Sequence, residues 1–242
     1  MDSIPEINTF LLIVFITTLG ATVQGSVGLG LGFVAVPTLA IIDPAYLPGP
    51  LLLSALVLTV LISFREHKAI QFKGIRWAIG GRFLGAILGV QILVYIPKNY
   101  LSLIFATMVI LGVILSVFGF RVRLNTKNLL NIGTLSGLMA TTSAIGGPPL
   151  ALIYQNLNGP ELRGTLSGIF VAGTTISVIL LAFIGRFGLE EIKLSFILMP
   201  GIIIGFFISK YTSKILDRGF IRPAVLVFSL TSGVILLIKT LI

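Results

Sequence analysis

Six stretches of about twenty residues each are almost free of charge, and they constrain this chain more than anything else in it. They cover residues 47–64, 77–96, 101–120, 164–185, 192–209 and 220–238, each bounded by charged residues or proline. A hydrocarbon core of about 30 Å takes about 20 apolar residues in a helix, so each stretch has the length of one span. Charged residues make up only 10% of the 242 residues and mean hydropathy is +1.10. So few charges cannot cover a water-facing surface, which excludes a soluble globular enzyme, and the hydrophobicity excludes disorder. The chain reads as an all-α polytopic membrane protein with the lipid bilayer as its partner.

Two further apolar segments, 8–42 and 128–156, are too long for one span and carry helix-breaking centres. The first holds Gln24-Gly25-Ser26-Val27-Gly28-Leu29-Gly30-Leu31-Gly32, the second Thr141-Thr142-Ser143-Ala144-Ile145-Gly146-Gly147-Pro148-Pro149. Glycine favours unwound or left-handed backbone, and proline cannot donate inside a helix. Each segment is therefore expected to form two half-helices around irregular backbone, which survives at membrane depth only beside protein or a wet cavity. Pro148 suits the first turn of such a half-helix, whereas Pro37 predicts a kink.

The segments align at an offset of 116: Ser26 meets Thr142, Leu29 meets Ile145 and Gly30 meets Gly146. Three spans follow each. Gly81, Gly85 and Gly89 answer to Gly201, Gly205 and Ser209, small residues on one helix face that permit close backbone approach, within the chain or along a homodimer seam. The chain thus divides into two repeats, 1–123 and 124–242, in one membrane domain.

Two topologies compete. If both broken segments cross, the halves are parallel, with ten loop cations cytoplasmic and six outside. If each is a re-entrant hairpin, the halves are inverted, and only Lys98, Arg186, Lys193 and Lys239 face out against twelve in. The positive-inside rule favours the hairpins and the inverted repeat. Trp77, Tyr95 and Tyr100 read as interfacial anchors. The N-terminus lacks the basic region of a cleaved signal.

A broken helix offers unpaired N–H groups and the positive end of its dipole to an anion. The candidate anion-binding residues are accordingly Gly28, Gly30, Gly32, Gly146 and Gly147 through their backbone, with Gln24, Ser26, Thr141, Thr142 and Ser143 through side chains. For the glycines the alternative is close packing, for the hydroxyls back-bonding to helix carbonyls, and for Gln24 a bridge between the half-helices. Arg82 is the only cation well inside a span and shares the glycine face. It either attracts the anion or snorkels to the interface. No cysteine is present and His67 is the single histidine, so neither a cofactor nor a metal is expected. The net charge of +9 reflects cytoplasmic loops and not nucleic-acid binding.

Gln24 through Phe33 followed by Pro37, with Gly137-Leu138 and Ile145 through Leu150, resembles the paired glycine-rich motifs of the sulfite exporter TauE/SafE family. Phe64-Arg65-Glu66-His67-Lys68 is similar to that family's basic loop after its second element. Leu31 and Ala144 depart from it, standing where the motifs often have glycine. The resemblance implies a plasma-membrane transporter of sulfite, sulfonates or related small anions, and export. By itself the residue pattern points to alternating access, the two halves rocking around a midplane site. No acidic residue lies inside a span to carry protons, which favours efflux driven by the potential. A non-transporting scaffold and an intramembrane enzyme are the alternatives. The enzyme lacks a nucleophile–base pair, and Phe33 breaks any dinucleotide fingerprint.

Overall fold

A computed structural model describes residues 5–97, 100–118, 122–216 and 221–241. The described residues form ten α-helices: α1 (Ile7–Val27), α2 (Leu31–Ile42), α3 (Gly49–Arg65), α4 (Ile75–Tyr95), α5 (Leu101–Phe118), α6 (Thr126–Ser143), α7 (Gly147–Ile153), α8 (Gly159–Phe183), α9 (Leu189–Leu216) and α10 (Ile221–Leu241). Five of them, α1, α4, α5, α8 and α9, are long and apolar enough to cross a membrane. The chain is an all-α polytopic membrane protein. Residues 119–120 and 220 of the expected spans lie outside the described residues.

Each broken segment forms two helices, and the two are of unequal length. α1 has 21 residues, about 31 Å at 1.5 Å per residue, and only α2, with 12, is short. The reason is where the left-handed residue falls. Gly28 (φ +95°) caps α1 and donates its N–H to the Gln24 carbonyl, so twenty-one residues precede the break. Likewise Ala144 (φ +60°) caps the 18-residue α6, leaving α7 with seven.

Both segments double back. Leu31 lies beside Gly20, and Pro5 and Asp43 line one cavity with Leu93, Arg186 and Glu190. Gly146 lies beside Ala140 and Ser136. Residues Val122 and Arg123, which precede α6, share a cavity with Ile153 and Tyr154 at the end of α7.

α2 continues through Pro37 as one helix. Proline removes the donor that the Phe33 carbonyl would otherwise receive four residues on. Ser229 of α10 supplies it, its Oγ donating to that carbonyl at 3.0 Å. α8 begins at Gly159, five residues before the expected start. Asn158 and Glu161 form a capping box there, with Pro160 in the first turn.

The small-residue faces pack inside the chain. Gly81 sits against Leu130 and Thr134, Gly85 against Thr134 and Leu138, Gly89 against Leu138 and Thr141, so α4 runs parallel to α6. Gly201 sits against Val14 and Thr17, Gly205 against Thr18 and Thr22, and Ser209 against Gly25, so α9 runs parallel to α1. Gly112, in the second half of α5, fits between Phe33 of α2 and Pro148 of α7.

Candidate functional site

The two breaks touch each other. Gly32 abuts Ala144 and Ile145, and Gly147 abuts Leu29. Between them, α3, α4 and α8 enclose a cavity of about 40 Å³. A water needs roughly 10–15 Å³ of such space, so the cavity has the scale of a few waters or one small ion. Its wall contains Gln24, Gly30, Gly32, Gly146, Gly147 and Arg82, six of the sequence-derived candidates.

Each reaches the wall for a local reason. Gly30 (φ +145°) is the N-cap of α2, a conformation that side-chained residues rarely adopt. It lies so close to Val23 that a Cβ would collide with that side chain. Gln24 bridges the break, its Oε1 accepting the Leu31 N–H at 3.2 Å. The next two N–H groups of α2, on Gly32 and Phe33, precede the first intrahelical bond and have no acceptor among the described residues. α7 differs. It has only seven residues, and Pro148 and Pro149 remove two first-turn donors. α7 therefore offers fewer backbone donors at its start than α2.

Arg82 lies beside this second break. It projects from α4 into the interior and is 1% exposed, so it does not snorkel. Gly137, Gly146 and Gly173 make room for it, since a Cβ at any of them would meet its backbone or its guanidinium. Nη1 donates to Ser136 Oγ at 2.8 Å, and that hydroxyl donates to the Gly146 carbonyl at 2.5 Å. The guanidinium carbon lies 5.2 Å from the Phe170 ring centre, while Nε has no acceptor among the described residues. Among the described residues no carboxylate pairs with Arg82. The described acids Glu6, Asp43, Glu66, Glu161, Glu190 and Glu191 all lie at helix ends or in loops. A guanidinium does not deprotonate in proteins, so the cavity wall carries an uncompensated positive charge.

Five candidates lie elsewhere. Ser26 donates to the Thr22 carbonyl and meets Thr212 Oγ1 at 2.7 Å, facing α9. Thr142 and Ser143 donate back to Leu138 and Met139, and Thr141 pairs with Ser177 of α8. Inside a helix a hydroxyl finds a carbonyl one turn back before it finds a ligand. Gly28 packs on the backbone of Arg163. That arginine donates Nη1 to the Ser26 carbonyl at 2.9 Å and Nε to Glu66 at 3.2 Å. Arg65 donates to the Gly25 carbonyl, to Ser209 and to the same Glu66 oxygen. Two cations thus hold the carbonyls at the negative end of α1.

Sequence reasoning missed Ser136, Phe170, Thr59 and Thr174. The last three line the cavity with Leu52 and Ala55. Thr59 donates to the Leu56 carbonyl, whereas the Thr174 hydroxyl makes no hydrogen bond to the described residues. Nothing local marks these positions, since tertiary packing of α3 and α8 around the breaks brings them in.

The model of one protein family, sulfite exporter TauE/SafE, matches residues 12–236, nearly the whole chain. No curated protein and no solved structure matches it. The match spans both glycine breaks, Arg82 and every helix that lines the cavity, and on that ground the chain belongs to the sulfite exporter TauE/SafE family.

Proposed function

We propose that this membrane protein carries one small anion of the sulfite or sulfonate type, exporting it across the plasma membrane by alternating access to the cavity between the two breaks. The observation that carries the reading is Arg82. A buried cation without a carboxylate is costly, and an anion in the cavity would balance it. The free N–H groups of Gly32 and Phe33, the Thr174 hydroxyl and the unpartnered Arg82 Nε supply donors of the right kind for an oxyanion. The described chain holds no acid at this depth to ferry a proton, so the inside-negative potential is the drive we favour.

The fold supports the inverted-repeat reading. The partnering of α4 with α6 and of α9 with α1 exchanges under the repeat offset. The doubling back of both broken segments supports re-entrant hairpins. Arg186, Lys193 and Lys239 lie toward the end that holds Pro5 and Asp43, whereas Arg65, Arg76, Arg163 and Lys210 lie toward the other. That partition agrees with twelve loop cations inside and four outside. Lys98, Arg121, Arg218 and the side chain of Arg222 fall outside the described residues.

The test is efflux of labelled sulfite and methanesulfonate from liposomes holding the purified protein, with an Arg82→Gln variant of verified folding beside it. Saturable flux, reduced at least ten-fold in the variant, is expected. Equal flux in the two proteins would remove Arg82 from the site.

A further inference from the structure

We infer that the charge built into the site decides where the membrane potential acts: the empty carrier moves one positive charge, and the carrier loaded with a monoanion moves none. The inference rests on the carrier reading and adds the charge of the substrate and the voltage-sensitive step.

The argument starts from the immediate surroundings of Arg82. Its guanidinium lies against Ser136, the Phe170 ring, Gly146 and Gly173, all uncharged. The other residues around the cavity (Gln24, Thr59 and Thr174 among them) are likewise neutral. Glu66, at the end of α3, is already shared by Arg65 and Arg163 at 3.0 and 3.2 Å. The site's charge is therefore that of one guanidinium, fixed at all physiological pH. In alternating access the potential drop shifts from one side of the site to the other as the cavity changes its opening. Whatever net charge sits in the cavity then passes through the field, even where the side chain itself hardly moves. An empty site carries Arg82 alone. A site holding a monoanion carries no net charge, and its reorientation is indifferent to voltage.

Over a full efflux cycle one negative charge still leaves, as the potential demands, but the potential acts on the return of the empty site. An inside-negative potential draws the empty cationic site back toward the inward-open form. The bias on that step reaches about 50-fold for about 100 mV acting on one charge. The arrangement also selects charge. A dianion would leave the loaded site negative and make both half-cycles voltage-dependent, whereas a neutral acid would leave the guanidinium unbalanced.

The experiment compares two fluxes of methanesulfonate, a monoanion at every workable pH, in the same proteoliposomes. One is exchange, with saturating methanesulfonate on both faces, in which the site is never empty. The other is net efflux into anion-free medium, in which it must return empty. Sulfite and acetate are run as alternative probes, and the comparison is made with whichever is carried. An imposed potential is expected to leave exchange unchanged and to alter net efflux several-fold, with the sign set by the polarity. Arg82→Lys, which keeps the charge, should keep this pattern even at reduced rate. Arg82→Gln should transfer the voltage dependence to exchange. Exchange as voltage-dependent as net efflux in the wild-type protein overturns the inference and leaves the carrier reading intact. The absence of saturable flux with all three anions overturns the carrier reading and the inference with it.

Discussion

Gly28 and Ala144 stand 116 residues apart and close their helices in the same left-handed conformation, φ +95° and +60°. Each donates its N–H to a carbonyl four residues back, Gln24 or Ala140, at 2.8 and 2.7 Å. Only the first position has the residue that adopts this backbone without cost. A side-chained residue in this region costs about 1–2 kcal/mol. Ala144→Gly is therefore expected to stabilise the protein by about 1 kcal/mol. Gly28→Ala should destabilise it by at least as much, because its Cβ would press on the Arg163 α-carbon at 3.3 Å. Thermal unfolding of the two variants in one detergent would show opposite shifts, and two shifts of like sign would refute the shared-cap account.

Pro37 and Ser229 form a second such pair across helices. If the Ser229 hydroxyl stands in for the donor that Pro37 removes, Ser229→Ala leaves the Phe33 carbonyl bare and costs about 1–3 kcal/mol. In a Pro37→Ala background the new N–H would take that carbonyl, and the cost of losing Ser229 should fall below about 1 kcal/mol. A double-mutant cycle measures the difference, and additivity would sink the idea.

The glycine seams admit little substitution. A Cβ at Gly85 would fall on the backbone of Thr134 and Leu138, and one at Gly205 on that of Thr18 and Thr22. Backbone atoms of two packed helices cannot step aside as a flexible side chain can. Gly85→Ala and Gly205→Ala should each destabilise by about 1–3 kcal/mol, the usual cost of overpacking. Gly188→Ala, with only a carboxylate oxygen at 3.7 Å, serves as the neutral control. Melting temperatures that rank the three alike would contradict the seam geometry.

Ser136 holds Arg82 and the second break together through one hydroxyl. Ser136→Ala should leave the charge in the cavity but free its orientation. About 1–1.5 kcal/mol of lost binding corresponds to roughly a ten-fold rise in the half-saturating anion concentration. The maximal rate should change less. Concentration series of anion flux separate the two, and an unchanged half-saturation would place Ser136 outside the binding event.

Much of this was legible in the sequence because its signals are backbone signals. The glycine and proline runs mark where helices cannot continue, and Gly81, Gly85 and Gly89 mark where two must meet. Ser26 and Thr141 to Ser143 lie off the cavity wall, because polarity beside a break does not reveal direction. Their hydroxyls turn to helix carbonyls or to a neighbouring helix. Arg163 reads as a loop cation, but a capping box five residues earlier extends α8 past it and buries it against α1. Ser136, Phe170 and Thr174 enter the site through the packing of α6 and α8 against α4, which no local pattern records.

The seams between α4 and α6 and between α1 and α9 also settle how the molecule is divided mechanically. Each joins a helix of the first repeat to a helix of the second along touching backbones, so the repeats are two strands of one weave. Pulling residues 1–123 away from 124–242 as blocks would tear both seams at once. The stiff bodies are the mixed pairs, α1 with α9 and α4 with α6, which stand on opposite flanks of α3 and α8. If the carrier reading holds, opening the cavity with both seams intact means moving one mixed pair against the other, and the junction of the repeats is then no hinge.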